Sequence, residues 1–189
     1  GIGQRTNSFL IGEEVDDLQL GGVAYVDDCI YVTGRNGVGT NQVYVLDEEG
    51  GQITQFDQPG QANVGMLDLT YGNELLWGSG EREIFGFNTN GEVIRSFRGP
   101  FSNNKALAFD AERGGMWVYS SSNNLVRAID LEGELITSLY NHRLNITGLT
   151  YFSEDQDYLS HIFPLLRQKE FLGKVFEKSF FQGKQFQLI

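Results

Sequence analysis

At 189 residues, with 40% hydrophobic and 21% charged residues, the chain is long enough to bury a core and too apolar to be disordered. A net charge of −11 repels nucleic acid and anionic membranes, and no apolar run is long enough to span a bilayer, so neither nucleic-acid binding nor membrane insertion is expected. Cys29 is the only cysteine, which excludes an intrachain disulfide and a cysteine zinc site, while 24 Gly beside 14 Phe and 8 Tyr favour strands joined by turns.

Taken in order, the chain opens on residues 4–12, where Ser8-Phe9 resembles Ser96-Phe97 and Ser138-Leu139 and reads as an isolated strand. A four-strand pattern then repeats. The first strands align on Val23-Ala24-Tyr25, Leu69-Thr70-Tyr71, Leu107-Ala108-Phe109 and Leu149-Thr150-Tyr151. Second strands follow at Ile30–Thr33, Leu75–Ser79, Met116–Ser120 and Tyr158–Phe163, and third strands at Gln42–Asp47, Glu83–Asn88, Leu125–Asp130 and Leu172–Lys178. A turn of fixed form comes next: Asp47-Glu-Glu-Gly50, Asn88-Thr-Asn-Gly91 and Asp130-Leu-Glu-Gly133. Asp or Asn caps such a turn through its side-chain oxygen, and Gly accepts the positive φ of a G1 bulge. Fourth strands close the units at Gln52–Phe56, Glu92–Phe97 and Glu134–Tyr140.

Four antiparallel strands in about 40–45 residues, repeated, describe the blades of a β-propeller. The expected fold class is therefore all-β: a β-propeller of four-stranded antiparallel blades, about four of them here, forming part of a larger propeller or longer chain. The orphan strand covers 4–12 and the blades fall near 22–57, 67–99, 105–141 and 147–189. A ring closed at four blades or by oligomerisation is the competing arrangement. Residues 164–181 also fit a basic amphipathic helix, and residues 161–189 carry five basic and two acidic groups in an otherwise acidic chain.

The unit Leu125-Val-Arg-Ala-Ile-Asp-Leu-Glu-Gly-Glu-Leu-Ile136, preceded by Gly115-Met-Trp-Val-Tyr119, resembles the repeats of NHL-like bacterial β-propellers. Asp68-Leu-Thr-Tyr71, Leu76-Trp-Gly-Ser-Gly-Glu81 and Ala106-Leu-Ala-Phe-Asp110 are similar to blades in large proteins secreted by the type IX route of Bacteroidetes-type bacteria. The resemblance covers residues 5–160, and the tail after His161 departs from it. It implies a secreted or cell-surface protein; it assigns no activity.

Catalytic chemistry finds little support. Ser79 lies in Gly-Ser-Gly between two strands, not in the strand-to-helix Gly-x-Ser-x-Gly turn of a nucleophile elbow. His142 and His161 lack partners at metal-ligand spacing. The acidic pairs Glu13-Glu14, Asp16-Asp17 and Asp27-Asp28 read as solvated charge. Glu154-Asp-Gln-Asp157 offers alternating oxygens without the glycine and distal Glu of a calcium loop, so calcium is a weak fit and no cofactor is expected. Asp68 is the one acid among the positions preceding the first strands (Gly22, Asp68, Ala106, Gly148); a carboxylate there could bind a cation or a substrate hydroxyl, while a hydrogen bond to neighbouring backbone or channel water is the plainer reading.

The loops entering first strands and joining second to third strands share one face. They hold Arg35, Asn36, Asn41, Gln58, Glu81, Arg82, Asn103, Asn104, Asn123, Asn124, His142 and Arg143. Amide and guanidinium groups there suit recognition of a protein or glycan. The expected function is a non-enzymatic binding, adhesion or display module. The alternatives are a metal-dependent propeller lactonase or lyase, and a scaffold docked through the basic C-terminal segment.

Overall fold

The computed structural model describes residues 8–35, 40–60, 65–123, 125–140, 146, 148 and 149. One helical turn, α1 (Ile11–Glu14), precedes three sets of four strands: β1 (Leu20–Val26), β2 (Cys29–Gly34), β3 (Gln42–Leu46) and β4 (Gln52–Asp57); β5 (Leu69–Gly72), β6 (Leu75–Gly80), β7 (Glu83–Phe87) and β8 (Val93–Arg98); β9 (Ala106–Asp110), β10 (Gly115–Ser120), β11 (Leu125–Ile129) and β12 (Leu135–Tyr140). Each set is an antiparallel sheet with its strands in chain order. These are blades 1, 2 and 3. The fourth expected blade, apart from Gly148 and Leu149, lies outside the described residues, as do the basic tail, Glu154–Asp157 and the helical alternative at 164–181.

Local chemistry sets the turns. Val26 pairs with Cys29 and Gly72 with Leu75, leaving two-residue loops. Asp27 and Asp28 have φ of 49° and 60°, and Asn73 and Glu74 have 52° and 62°. Two successive positive-φ residues make the type I′ geometry that matches strand twist, and Asp and Asn tolerate it. The Asp27-Asp28 pair is therefore a hairpin turn. In the β3–β4, β7–β8 and β11–β12 hairpins, Gly50, Gly91 and Gly133 have φ of 88°, 85° and 88°. The caps are in place: Asp47 Oδ1 accepts from the Gly51 amide at 2.7 Å, and Asn88 Oδ1 and Asp130 Oδ1 accept from Glu92 and Glu134 at 3.0 and 2.8 Å.

A second reason for glycine at these turns emerges only in three dimensions. A Cβ on Gly91 would lie 2.5 Å from Phe56 Cδ2, on the fourth strand of the preceding blade, and one on Gly133 would lie 3.0 Å from Phe97 Cδ2. Phe9 sits on Gly50 in the same way, at 2.4 Å. The analogy between Phe9 and Phe97 therefore holds for packing. The strand expected at 4–12 does not: residues 8–10 are irregular and α1 is helical from Ile11, with the amides of Glu13 and Glu14 donating to the Leu10 carbonyl. No described strand lies beside it to take up ladder hydrogen bonds. Residues 4–7 lie outside the described residues.

The blades stack through alternating faces, as period-two strands require. Val43 and Val45 of β3 pack with Leu69, Leu76, Phe85 and Phe87 of blade 2. Trp77 and Ile84 pack with Leu107, Met116, Val118 and Ile129 of blade 3. On the outer side of blade 3, Trp117, Tyr119, Val126 and Ala128 gather Ile146 and Leu149. On the outer side of blade 1, Val15 covers Val32, Tyr44 and Leu46. The strap is pinned there by buried Asp17, whose Oδ2 accepts from the Tyr44 hydroxyl at 3.1 Å. Burial, and then the Asp17 carboxylate, push the Tyr44 phenol up to about 12. The fourth strands are solvent-facing, with Ile53, Ile94 and Ile136 half exposed on the rim.

Candidate functional site

The first strands lie side by side in the order β1, β5, β9, and the position before each triplet meets the next blade. At Gly22 a Cβ would fall 2.2 Å from the Leu69 amide nitrogen. At Asp68 there is room for a carboxylate, which fills the gap: Oδ1 accepts from the Leu69 amide and Oδ2 from the Leu107 amide, each at 3.0 Å. Asp68 is 2% exposed. Of the two readings the sequence left open for Asp68, its oxygens take the backbone one. Asp68 ties β5 to β9, because two backbone amides at the blade junction take its oxygens.

The loop end is built on two buried carboxamides. Between blades 1 and 2, Gln58 Nε2 donates to the carbonyls of Gly34 and Gln42, and its Oε1 accepts from the Met66 amide at 2.7 Å. Between blades 2 and 3, Asn104 Nδ2 donates to the carbonyls of Glu81 (2.6 Å) and Phe101 (3.1 Å), and its Oδ1 accepts from the Phe101 amide. Asn104 is 2% exposed, so it supports the surface from beneath instead of belonging to it. Loop Asn and Gln usually read as solvated turn residues; only the tertiary contacts show that these two are knots.

What Asn104 holds is the tightest connection of the loop end. Gly80 pairs with Glu83, so Glu81 and Arg82 alone turn the chain. Glu81 has φ of 64°, a conformation that a long side chain adopts at an energetic cost. Its carbonyl receives both the Asn104 amide and the Asn104 side chain, and the Arg82 carbonyl receives the Gly99 amide. Strain is stored where surroundings over-determine it. Glu81, Arg82 and Asn103 are exposed above this knot, and Asn123 is exposed in the β10–β11 loop of blade 3. Beside it, Arg127 lies 4.8 Å over the Phe101 ring and donates to the Pro100 carbonyl at 2.8 Å. At the other junction Arg35 and Asn41 are half-buried and close on Gly65. Gln42 first, then Thr40, hold the nearby Asp57 carboxyl below its ordinary value. Asn36, Asn124, His142 and Arg143 lie outside the described residues.

Ser79 is buried and donates its hydroxyl to the Asn104 carbonyl at 2.7 Å, which gives it a structural task. Among the described residues, no three His, Cys, Asp or Glu side chains converge on one point.

Charge divides the two ends of the blades. The turns at 27–28, 47–50, 73–74, 88–92, 111–114 and 130–134 carry eleven acidic residues against Arg113 alone. Arg113 is committed to Asp110 at 2.6 Å. Among the described residues the loop end is of mixed charge: Asp16, Asp17, Asp57, Glu81 and Glu83 stand with Arg35, Arg82, Arg98, Lys105 and Arg127.

No family model and no curated protein matches the chain. Solved structures do. The WD40 domain of Neurospora crassa Pan2 is similar at a TM-score of 0.53 and 14% identity, over 70% of this chain and 41% of that one. A catalytically inactive virginiamycin B lyase from Staphylococcus aureus, solved with quinupristin, is similar at 0.53 and 17%, over 71% and 46%. The computationally designed Ika4 protein is similar at 0.50 and 15%, over 71% and 80%. This chain spans less than half the length of the first two. At such identities the likeness speaks for architecture alone. With three stacked four-stranded antiparallel blades, the chain has the β-propeller fold.

Proposed function

We propose that the chain is a binding module of a β-propeller, taking a protein or glycan partner on the loop end around Glu81, Arg82, Asn103 and Asn123. The observation that carries this reading is the Glu81-Arg82 turn. It sets a carboxylate and a guanidinium, both exposed, on a strained two-residue loop that a buried side chain holds rigid from below. Preorganised polar groups of this kind bind without a large ordering penalty. Bidentate pairing by Arg and amide pairing by Asn fit carboxylate-, amide- or hydroxyl-rich partners. The reading includes export to a bacterial cell surface or medium, supported by the sequence resemblance alone and tested by fractionating the source cells.

The direct test is a paired glycan and peptide array probed with the native chain and with the E81A/R82A/N103A/N123A variant. The reading expects signals that the variant loses while its melting temperature holds. Signals retained by a folded variant move the site off this turn.

A further inference from the structure

The three blades place different side chains at one corner. Ladder pairing aligns Gly34, Gly80 and Ser120 at the loop-end close of β2, β6 and β10, and Tyr44, Phe85 and Arg127 on β3, β7 and β11. All six lie on the face turned away from the following blade. In blade 1 a carboxylate closes this corner. A Cβ on Gly34 would run into Asp17 Oδ2 and Tyr44 Cε2, and the same Oδ2 accepts from the Tyr44 hydroxyl. In blade 3 the corner holds donors and no carboxylate. Ser120 is 0% exposed, and neither its Oγ nor the buried Nε of Arg127 makes a hydrogen bond. Among the described residues Arg127 forms no ion pair.

The rest of the guanidinium is fixed. Nη1 donates to the Pro100 carbonyl at 2.8 Å, and Cζ lies 4.8 Å over the ring of Phe101, whose amide and carbonyl are both gripped by Asn104. What remains is the Nε–Nη2 edge, the pair of parallel donors that takes a carboxylate in a two-bond fork. A half-buried guanidinium with that edge unmatched is incomplete, because desolvated donors and charges call for partners. The molecule itself shows what fills such a corner: in blade 1 it is an aspartate carried on a peptide strap. We propose that Arg127 anchors an aspartate or glutamate of a peptide partner, the carboxylate seating on the Nε–Nη2 edge with Ser120 beside it as a further donor. The inference rests on the loop-end reading above and names the group recognised there.

The first test follows the Arg127 Nε–Hε signal in proton–nitrogen correlation spectra of the native full chain as sodium acetate is added, with sodium chloride at equal ionic strength as the control. The site predicts a saturable shift with acetate that chloride does not reproduce and that the E81A/R82A/N103A/N123A variant retains. The second test probes the peptide and glycan array with Arg127→Lys, which keeps the charge and loses the fork. Binding of peptides bearing Asp or Glu should fall about tenfold, the change expected for losing one charge-assisted hydrogen bond, while the melting temperature holds. The acetate arm needs no variant, so it decides where Arg127→Lys does not fold. A shift that is absent or matched by chloride, or acidic-peptide binding unchanged in Arg127→Lys, overturns the proposal; so does a loss confined to uronate-bearing glycans. The two readings fail separately. Array signals lost in the quadruple variant while acetate leaves Arg127 unmoved keep the loop-end turn and reject this anchor; array signals kept there while acetate moves Arg127 do the reverse.

Discussion

Replacing Asp68 by alanine removes the acceptor for two amides at once, those of Leu69 and Leu107, in residues that are both 0% exposed. Each buried amide left without a partner costs about 1–3 kcal/mol. Part of that is returned, because the mutant no longer holds a desolvated carboxylate. The net loss expected is about 3 kcal/mol, larger than for a typical point substitution. For a chain of this size it corresponds to a fall in melting temperature of roughly 6–12 °C. Asp68→Asn keeps one carbonyl oxygen and should fall between alanine and the native chain. Urea titrations followed by far-UV circular dichroism give the free energies, and thermal melts with and without EDTA separate the two roles open to a carboxylate here. A melting temperature of Asp68→Ala within a degree of native would refute the clamp. So would a native chain that melts lower in EDTA while the variant is indifferent to it.

Three further outcomes follow from other contacts. Gly91→Ala combines φ of 85° with a Cβ 2.5 Å from Phe56, whereas Gly114→Ala has φ of 62° and open space around it. The first should lose about 2–4 kcal/mol and the second about 1 kcal/mol in chemical denaturation; equal losses would show that the Phe56 contact is not formed. Burial alone would raise the Asp110 carboxyl, but the Arg113 and Trp117 hydrogen bonds outweigh it and hold it below its ordinary value. Its stabilisation is therefore present above the unfolded carboxylate value of about 3.9 and is lost as pH falls through the lower folded value. Denaturation midpoints measured from pH 6 downwards should fall more steeply in the native chain than in Asp110→Asn; parallel curves would contradict the assignment.

Much of the architecture was legible because local chemistry and tertiary role agree. Asp47, Asn88 and Asp130, each followed by a glycine at the fourth turn position, dictated hairpins that the long-range packing also uses. The second strands expected at Ile30–Thr33, Leu75–Ser79 and Met116–Ser120 are the central, buried strands β2, β6 and β10. The failures have a common cause. Asn104 and Gln58 look like surface amides, since nothing local distinguishes a solvated Asn from one aimed at a carbonyl of the neighbouring blade. Glu81 gave no hint of a left-handed backbone because its residue type does not favour one. Asp68 was singled out for the right reason, its size among small neighbours, but its function as a junction clamp depends on the Leu107 amide, 39 residues away. At residues 8–12 the packing residue, Phe9, was identified, but the strand expected there does not form, because strand formation needs a paired neighbour that sequence spacing cannot supply.

The central claim is that the loop end, not the acidic turn end, receives the partner. It is tested most directly by titrating a partner selected from the array, in a calorimeter, against three chains. These are the native chain, the E81A/R82A/N103A/N123A variant, and a turn-end variant, E48Q/E132Q, which removes two charges from the opposite face. The account predicts a loss of at least about tenfold in affinity for the loop-end variant, as expected when polar anchors are truncated, and native affinity for the turn-end variant. The reverse pattern, native binding without the loop-end groups and weakened binding without the turn-end charges, would contradict it.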